Sequence, residues 1–310
     1  MTTTTAPTAP VLTRAWLPIA AVAVTLVLWA SAFVAIRHLG ADFRPGSMAL
    51  GRLLVGSICL TIVARRPWSR RIRPALPRPS ARDWGVLVAI GVLWYAVYMV
   101  ALNEGERRID AGTSAMLIQL SPILIAVLAA LFLGDRFTGR LVIGLVLAFA
   151  GVVVIALGSS DGGSHDVVGV LLCLVSAVGY AVSLILQKPL VGRLSAIHVT
   201  WLACTIGAVI CLPFAGQLIS DVRAAPLSST LWVAYLGVFP TAIAFTTFAY
   251  ALRHLPASRL GITTYLVPVI TILLGWAFLG ETPPALAYVG GALALLGVAA
   301  TRSRKPARSA

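Results

Sequence analysis

The sequence is poor in charged residues. Only 11% of its 310 residues are Asp, Glu, Lys or Arg, whereas 59% are hydrophobic. A soluble domain carries about 25% charged residues and roughly 45–50% apolar ones, and a soluble fold of this length could not bury so much apolar surface. The composition excludes a disordered, collagen-like or disulfide-stapled chain. It predicts an all-α integral membrane protein with little mass outside the bilayer.

Sequence motifs for catalysis and for metal binding are also missing. The four cysteines lie inside apolar runs without a CxxC pair, and the chain has no HExxH, GxSxG or Walker A motif. We therefore expect no catalytic residues, no metal and no cofactor. An intramembrane enzyme would need a nucleophile–base pair or metal ligands at depth, and the predicted spans have no His, Asp or Glu near their centres.

The scarcity of acidic residues also bears on energy coupling. All ten Asp and Glu residues are predicted in loops or at span ends, whereas a proton relay through a bilayer usually needs a mid-span ionisable residue. If proton flow is coupled to solute flow, the expected carriers are groups of the solute or end-of-helix acids such as Asp135 and Glu281. Both acids are expected instead to cap the following helix or to pair with an Arg.

What the sequence does contain is a series of long apolar runs. Because these runs are separated by charged or Pro/Gly-rich breaks, they predict ten transmembrane helices. The predicted limits are 15–36, 46–64, 83–102, 111–133, 140–157, 167–187, 197–217, 230–251, 258–279 and 285–301. Residues 1–14 are predicted to form a disordered cytoplasmic tail, and residues 302–310 a basic cytoplasmic tail.

The basic residues fall mainly on one side of this map. With the N-terminus inside, 18 of the 24 Lys and Arg residues lie in inner segments, five lie in outer segments, and Arg52 lies within a span. This is the bias of the positive-inside rule, so the net charge of +14 indicates orientation in a membrane rather than nucleic-acid binding. We predict a multi-pass protein of the bacterial inner (plasma) membrane with both termini in the cytoplasm.

Two stretches of the sequence resemble each other. Residues 116–151 align with residues 262–297 without a gap. The matched pairs include one proline pair, one acidic pair after Phe-Leu-Gly and two glycine pairs: Pro122 with Pro268, Asp135 with Glu281, Gly144 with Gly290, and Gly151 with Gly297. Leu and Gly matches are common between membrane helices, but a proline and an acid in the same register are not.

The aligned stretches cover predicted helices 4–5 and 9–10, so the repeat unit has five helices. A unit with an odd number of helices that occurs twice gives halves of opposite orientation. We therefore predict two five-helix repeats, residues 15–157 and 167–301. Inverted repeats are typical of secondary transporters, in which the substrate site lies near the midplane between the halves.

These residues resemble the EamA family of the drug/metabolite transporter superfamily, from Trp16 to Thr301. The resembling features are the WASAF string and Arg37 in helix 1, Arg52 in helix 2, Pro122 with LGDRFTGRLVIG, and Pro268 with LGETPPALAYVGG. The resemblance implies ten helices in two inverted repeats around a central cavity, and many members export amino acids, other metabolites or drugs. Two departures are Ala30, where the family often has Gly, and Asp135, where it usually has Glu.

Predicted helix 6 carries a polar face. Ser176, Tyr180, Ser183 and Gln187 are spaced i, i+4, i+7 and i+11, so they lie on one side of the helix. A polar stripe facing lipid would be unfavourable. It therefore forms either a wall of a substrate cavity or hydrogen bonds to a neighbouring helix.

Prolines interrupt predicted helices 4 and 9. Pro122 and Pro268 each remove a backbone donor and free a carbonyl about one turn earlier, the latter near Thr264. These carbonyls, together with Gln119, are candidate substrate contacts, and the kinks are candidate hinges for gating. The alternative is a static kink whose carbonyls are satisfied by a hydroxyl such as that of Ser121.

Four aromatic residues and one cation complete the candidate cavity residues. Trp29, Tyr98, Tyr180 and Tyr265 lie deeper than the ring residues at span ends, and their faces suit apolar or cationic groups. Arg52 is the only charge well within a predicted span. It could bind a substrate carboxylate, pair with Asp42 or another outer acid, or extend to the outer surface.

The combined pattern predicts a secondary transporter that exports small metabolites, either amino acids or amphipathic, drug-like compounds, by alternating access. Its expected partners are a small-molecule substrate and the lipid bilayer, with no nucleic acid. Small-residue spacings in helix 2 would also allow packing in a homo-oligomer. The alternatives are an intramembrane enzyme and a non-transporting membrane scaffold or receptor.

Overall fold

The computed structural model describes residues 16–65, 79–132, 139–158, 167–254 and 263–300. The two predicted tails and Asp135 lie outside these ranges. All regular secondary structure in the described ranges is helical. In chain order the helices are α1 (Trp16–Leu39), α2 (Pro45–Arg65), α3 (Ala81–Arg108), α4 (Ala111–Ile118), α5 (Ser121–Phe132), α6 (Gly139–Gly158), α7 (Val167–Arg193), α8 (Ala196–Ile210), α9 (Ala215–Ala224), α10 (residues 227–254), α11 (Leu266–Leu279) and α12 (Ala285–Ala300).

Five of these helices are long and apolar enough to cross a membrane on their own: α1, α2, α3, most of α7 and most of α10. The pair α8–α9 passes the same test only as one segment, and it bends by 50°. Shorter apolar helices of 10–17 residues occupy Ala111–Ile125, Val142–Ile155, Leu266–Leu279 and Ala285–Gly297, where the fourth, fifth, ninth and tenth spans are predicted. The chain is therefore an all-helical membrane protein, with more variation in helix length than the sequence map implied.

Three predicted boundaries need correction. The third span ends at Arg108 and not at 102, because the polar residues after Leu102 continue the helix. The seventh span, predicted as one helix over 197–217, breaks at Cys211 and continues as α9. Pro213 lies in the short 3₁₀ turn between the two helices, where its ring disfavours a continuous α-helix. The ninth span is predicted as one helix over 258–279; residues 258–262 lie outside the described ranges, and turn residues at Thr264 and Tyr265 interrupt the described part before α11 begins at Leu266.

Two unusual features of the described helices each occur twice. The middle of α3 is π-helical at Gly91–Val97, and the middle of α10 is π-helical at Gly237–Ile243. The fourth apolar segment breaks at Gln119, between α4 and α5. The ninth has turn residues at Thr264 and Tyr265 before α11. Each pair falls on spans five apart, as a duplicated five-helix unit would place them.

Helices α6 and α12 pack closely against each other through glycines. A side chain on Gly151 would collide with the backbone of Gly290, and one on Gly297 with the backbone of Gly144. In the sequence alignment of the two repeats, Gly144 matches Gly290 and Gly151 matches Gly297. Exchanging the two halves therefore converts one contact into the other, which is the behaviour of a two-fold related helix pair.

Glycines of α2 also permit close packing, but within the chain. Gly46 faces the ring of Phe214, and Gly56 faces Thr241 of α10. The outer surfaces of several helices instead carry exposed apolar side chains. Ile58, Phe149 and Phe278 are 61%, 70% and 75% exposed, which suits contact with lipid tails.

Candidate substrate cavity

A cavity of about 430 Å³ lies among α1, α2, α3, α7, α10 and the broken segments α4–α5 and α11. Its size is in the range of small-molecule sites, roughly 300–1,000 Å³. The lining is mainly apolar, with Phe33, Ile36, Met99, Leu102 and Leu184 among its members. Because helices of both halves supply side chains, the cavity lies between the two predicted repeats.

A connected series of aromatic rings forms part of the cavity wall. Trp29 of α1 contacts Phe248 and Phe245 of α10, with ring centroids 5.0 and 5.9 Å apart. Phe245 contacts Trp94 of α3 at 5.3 Å, and Trp94 contacts Tyr180 of α7 at 5.2 Å. The π-helical turn in α3 carries Trp94. This series gives the cavity an extended apolar and π-electron surface.

Arg52 supplies the positive charge of the cavity lining. Its side chain is buried, with 5% exposure, and its Nε donates to Thr241 Oγ1 at 2.9 Å. Among the described residues, neither of its Nη groups has a hydrogen-bond partner. The carboxylate of Asp42 instead accepts from Ser229. Within the described residues Arg52 therefore neither pairs with Asp42 nor extends to the surface, and contact with a substrate carboxylate stays a prediction.

The carbonyls near the two prolines are occupied by side chains. The Thr264 carbonyl accepts from Gln119 Nε2 at 2.8 Å, which joins the break in one half to the break in the other. The Ile118 carbonyl accepts from Ser121 Oγ at 2.6 Å. The bond from Ser121 is the hydroxyl contact that the static alternative names, whereas the donor to the Thr264 carbonyl is an amide. The two bonds leave the amide oxygen of Gln119 as the free acceptor of that side chain among the described residues.

Seven of the eleven predicted site residues line this cavity, and four do not. The lining includes Trp29, Arg52, Tyr98, Gln119, Pro122, Tyr180 and Thr264. It does not include Ser176, Ser183, Tyr265 and Pro268. Most of the predicted residues thus lie in the lining, but they are seven of its nineteen residues, and the exact helix face separates the predicted residues that line the cavity from those that do not.

The polar face of α7 divides between two roles. Ser176 is fully buried and donates to the carbonyls of Tyr98 and Leu172, so it links α7 to α3. Ser183 is also fully buried, and its hydroxyl has no partner among the described residues. Tyr180, between them, lines the cavity. Ser176 thus forms the helix–helix bond of one reading and Tyr180 lies in the cavity lining of the other, whereas Ser183 does neither within the described residues.

Sequence reasoning missed the contribution of α10 and of one acid. Phe245 and Phe248 line the cavity, and with Thr241 they follow a helical spacing that could have identified this face. Glu106 was assigned to the outer loop, yet it lies in α3 and is fully buried. The other end-of-helix acid, Glu281, pairs with Arg37 at 3.0 Å, as one of its two predicted roles required.

A protein-family model matches the chain twice. The model of the EamA-like transporter family covers residues 16–157 and again 167–303. The chain belongs to this family. Its two matches coincide with the stretches that the sequence predicted to be repeats.

Curated relatives agree with this assignment. A "probable terminal-alkyne amino-acid exporter" of Streptantibioticus cattleyicolor is 36% identical over 279 residues, covering 90% of this chain and 91% of the relative. The "uncharacterized transporter YdfC" of Bacillus subtilis is 30% identical and covers 88% of this chain and 87% of the relative. One solved structure matches at 20% identity with a TM-score of 0.60, covering 93% of this chain and 98% of the other, which supports the fold alone. The EamA-type chain is thus a membrane protein of a transporter family.

Proposed function

We propose that this protein exports amino acids with an apolar side chain, by alternating access of two inverted five-helix repeats around the cavity. The observation that carries the proposal is a buried cation, Arg52, which is the one cation of the described lining of a mainly apolar, aromatic cavity. The name of the Streptantibioticus relative supports the same substrate class. The predicted setting is the bacterial inner membrane, with both termini in the cytoplasm.

Each part of an amino acid finds a complementary group in the lining. The carboxylate pairs with the Nη groups of Arg52, and charge-assisted bonds of this kind are stronger than neutral ones. The ammonium group donates to the amide oxygen of Gln119. The side chain packs against Trp29, Trp94 and Phe245, where ring contacts add to the burial of apolar area.

The predicted inverted repeats suit alternating access. The broken segments of the two halves meet at the hydrogen bond between Gln119 and Thr264, next to the cavity. A tilt of one half relative to the other would open the cavity to one side and close it to the other. No catalytic group is required for this function.

The proposal is tested with the purified protein in lipid vesicles. Uptake of labelled apolar amino acids is compared with uptake of the corresponding amines, which lack the carboxylate. Amino acids should be transported and amines rejected. Equal transport of both, or transport of neither, would contradict the proposed substrate class.

The Arg52→Gln variant tests the assigned contact. Loss of a hydrogen-bonded charge should cost about 1.5–3 kcal/mol, or roughly 10- to 150-fold in amino-acid affinity. Ile58→Ala on the exposed face of the same helix is the matched control and should transport normally. Normal transport by Arg52→Gln would show that the cation does not bind substrate.

A further inference from the structure

Glu106 differs from the other acids that the structure describes. Six of the seven described acids accept a hydrogen bond or an ion pair: Asp42, Asp83, Glu104, Asp110, Asp221 and Glu281. Glu106 is fully buried, and within the described residues neither of its carboxylate oxygens has a partner. Such a group is costly if it is ionised, because nothing replaces the water that it loses.

Asn103, three residues earlier in the same helix, also has a buried oxygen without a hydrogen-bond donor among the described residues. Its Nδ2 donates to the Pro45 carbonyl at 3.0 Å, but its Oδ1 is buried and has no donor within the described ranges. Residues spaced i and i+3 are neighbours on a helix surface. Three acceptor oxygens therefore lie on neighbouring positions without a donor.

The charged and titratable groups around Glu106 do not supply that donor. Arg37 of α1 and Arg52 of α2 are the cations that act on its carboxylate; Asp110, Glu281, Tyr98 and the Cys173 thiol are its other titratable neighbours. Arg37 donates to Glu281 and to the backbone carbonyls of Glu106 and Arg107. Arg52 donates through Nε to Thr241.

A proton on Glu106 supplies one donor to this group of acceptors and removes the charge of the carboxylate. The protonated carboxyl group becomes a donor, and the Asn103 amide oxygen is the neighbouring acceptor. The site has no access for a larger cation, since the cavity lining ends one turn away at Leu102 and Glu106 has no exposed surface.

We propose that Glu106 is a proton-binding site, occupied when the outer end of the transporter is closed. The same contacts that close this end also bury the site: Arg37 ties the end of α1 to Glu281 and to the Glu106 carbonyl. When these contacts open, Glu106 becomes hydrated and releases its proton to water; when they close, it takes one up. The proposal uses the alternating access of the proposed function but not its substrate.

The sign of the pH effect follows from this linkage. Because the closed form holds one more proton than the open form, acidification favours closure and alkalinity favours opening. A change of one bound proton alters the ratio of the two forms by up to about tenfold per pH unit. Protonation of Glu281 would weaken its pair with Arg37 and act in the opposite direction.

Infrared spectroscopy tests occupancy of the site directly. The purified full-length protein at neutral pH should show the carbonyl stretch of a protonated carboxylic acid. Glu106→Gln should lose this band, and Asn103→Leu should keep it at a higher frequency because its acceptor is gone. Glu104→Gln, two residues away on the same helix, should leave the band unchanged. Absence of the band from the parent protein would overturn the proposal.

Cysteine labelling tests the link to closure without any substrate. Ile36→Cys places a thiol in the cavity lining, and a membrane-impermeant maleimide reports its exposure in vesicles. The labelling rate is measured at each pH with and without Glu106→Gln, both in the Ile36→Cys background. Dividing the rate without Glu106→Gln by the rate with it cancels the pH dependence of the thiol reaction itself. This ratio should rise by roughly tenfold per pH unit in its steep range and approach unity in acid. A ratio independent of pH, or one that responds to sodium instead, would overturn the proton site. If the infrared band and the pH-dependent labelling ratio are both found but amino acids are not taken up, only the proposed substrate is overturned.

Discussion

At the scale of single residues, side-chain chemistry predicted which kind of contact a residue makes better than it predicted which residue it contacts. Pro122 and Pro268 were expected to free carbonyls, and the carbonyls of Ile118 and Thr264 are accordingly found bonded to side chains. Sequence could suggest Ser121 as a partner, since it is adjacent. It could not indicate Gln119 as the partner of Thr264, because that contact depends on how the two halves pack.

Tyr180 is the residue whose role can be tested most directly. Its ring contacts Trp94 in the cavity wall, so Tyr180→Ala should weaken amino-acid binding by about 1–3 kcal/mol, or roughly 5- to 150-fold. Tyr180→Phe keeps the ring and should retain most of the affinity. Equilibrium binding and vesicle uptake provide the measurement. Leu171→Ala on the exposed face of α7 is the matched control, and equal binding by Tyr180→Ala would remove Tyr180 from the site.

At the scale of helices, apolar runs predicted the existence and the order of the elements. The helix ends were less predictable, because a run of polar residues does not always lie at the membrane surface. In α3 the string from Asn103 to Arg108 is polar, yet Asn103 and Glu106 are buried by neighbouring helices. In the α8–α9 segment the run stays apolar through Pro213, so composition alone hides a bend that proline could have indicated.

The end of α1 is held by one guanidinium that bridges three segments. Arg37 binds Glu281 after α11 and the backbone carbonyls at the end of α3. Because the Arg37 and Glu281 side chains are 22% and 32% exposed, the pair itself should contribute little, about 0–1 kcal/mol. Even a free-energy change of this size can alter how often this end opens.

We therefore expect Glu281→Gln to increase opening at this end without unfolding the protein. Ile36→Cys in that background should react with maleimide up to about fivefold faster, the factor corresponding to about 1 kcal/mol. Arg223→Gln, outside this cluster, should not change the rate. An unchanged rate in Glu281→Gln would mean that the ion pair does not restrain this end.

At the scale of the whole molecule, the paired features of the helices agree with the two-fold arrangement that the duplicated sequence predicts. The glycine contacts of α6 and α12 are the clearest example, since each contact maps onto the other when the halves are exchanged. The sequence supplied the matched positions but not the contact, because a repeat alignment does not indicate which helices meet. The cavity shows the same limit: the spacing of Phe245 and Phe248 indicates a face of α10, but the sequence does not indicate which residues of the other helices this face meets.

Enlarging one of these glycines should destabilise the protein. Gly290→Val would force its side chain against the backbone at Gly151, and such overpacking costs roughly 1–3 kcal/mol. Thermal unfolding in detergent should therefore begin at a lower temperature. Gly85→Ala, which has open space around the position, is the control. Equal thermal stability of Gly290→Val and the parent would show that α6 and α12 do not meet as described.

Ion pairs between distant segments join residues that the predicted map places on the same side of the membrane. Arg44 pairs with Asp221, and Arg37 with Glu281, which join segments predicted outside. Asp83 pairs with Arg193, which joins segments predicted inside. A map with one span missed or added would place some of these partners on opposite sides of the membrane.

The orientation is a prediction from the charge distribution, since the segments predicted inside hold 18 of the 24 basic residues and those predicted outside five. Reporter fusions at the loop between α2 and α3 and at the C-terminus should therefore give a cytoplasmic signal, and a fusion at Asp161 an external one. Replacing Arg70, Arg71 and Arg73 with Gln should weaken this preference, because it removes positive charge from the segment that anchors the inner side. Replacing Arg107 and Arg108 should leave it intact. An external signal from the α2–α3 loop in the parent protein would require the whole map to be inverted, and it would place the Glu106 end on the cytoplasmic face.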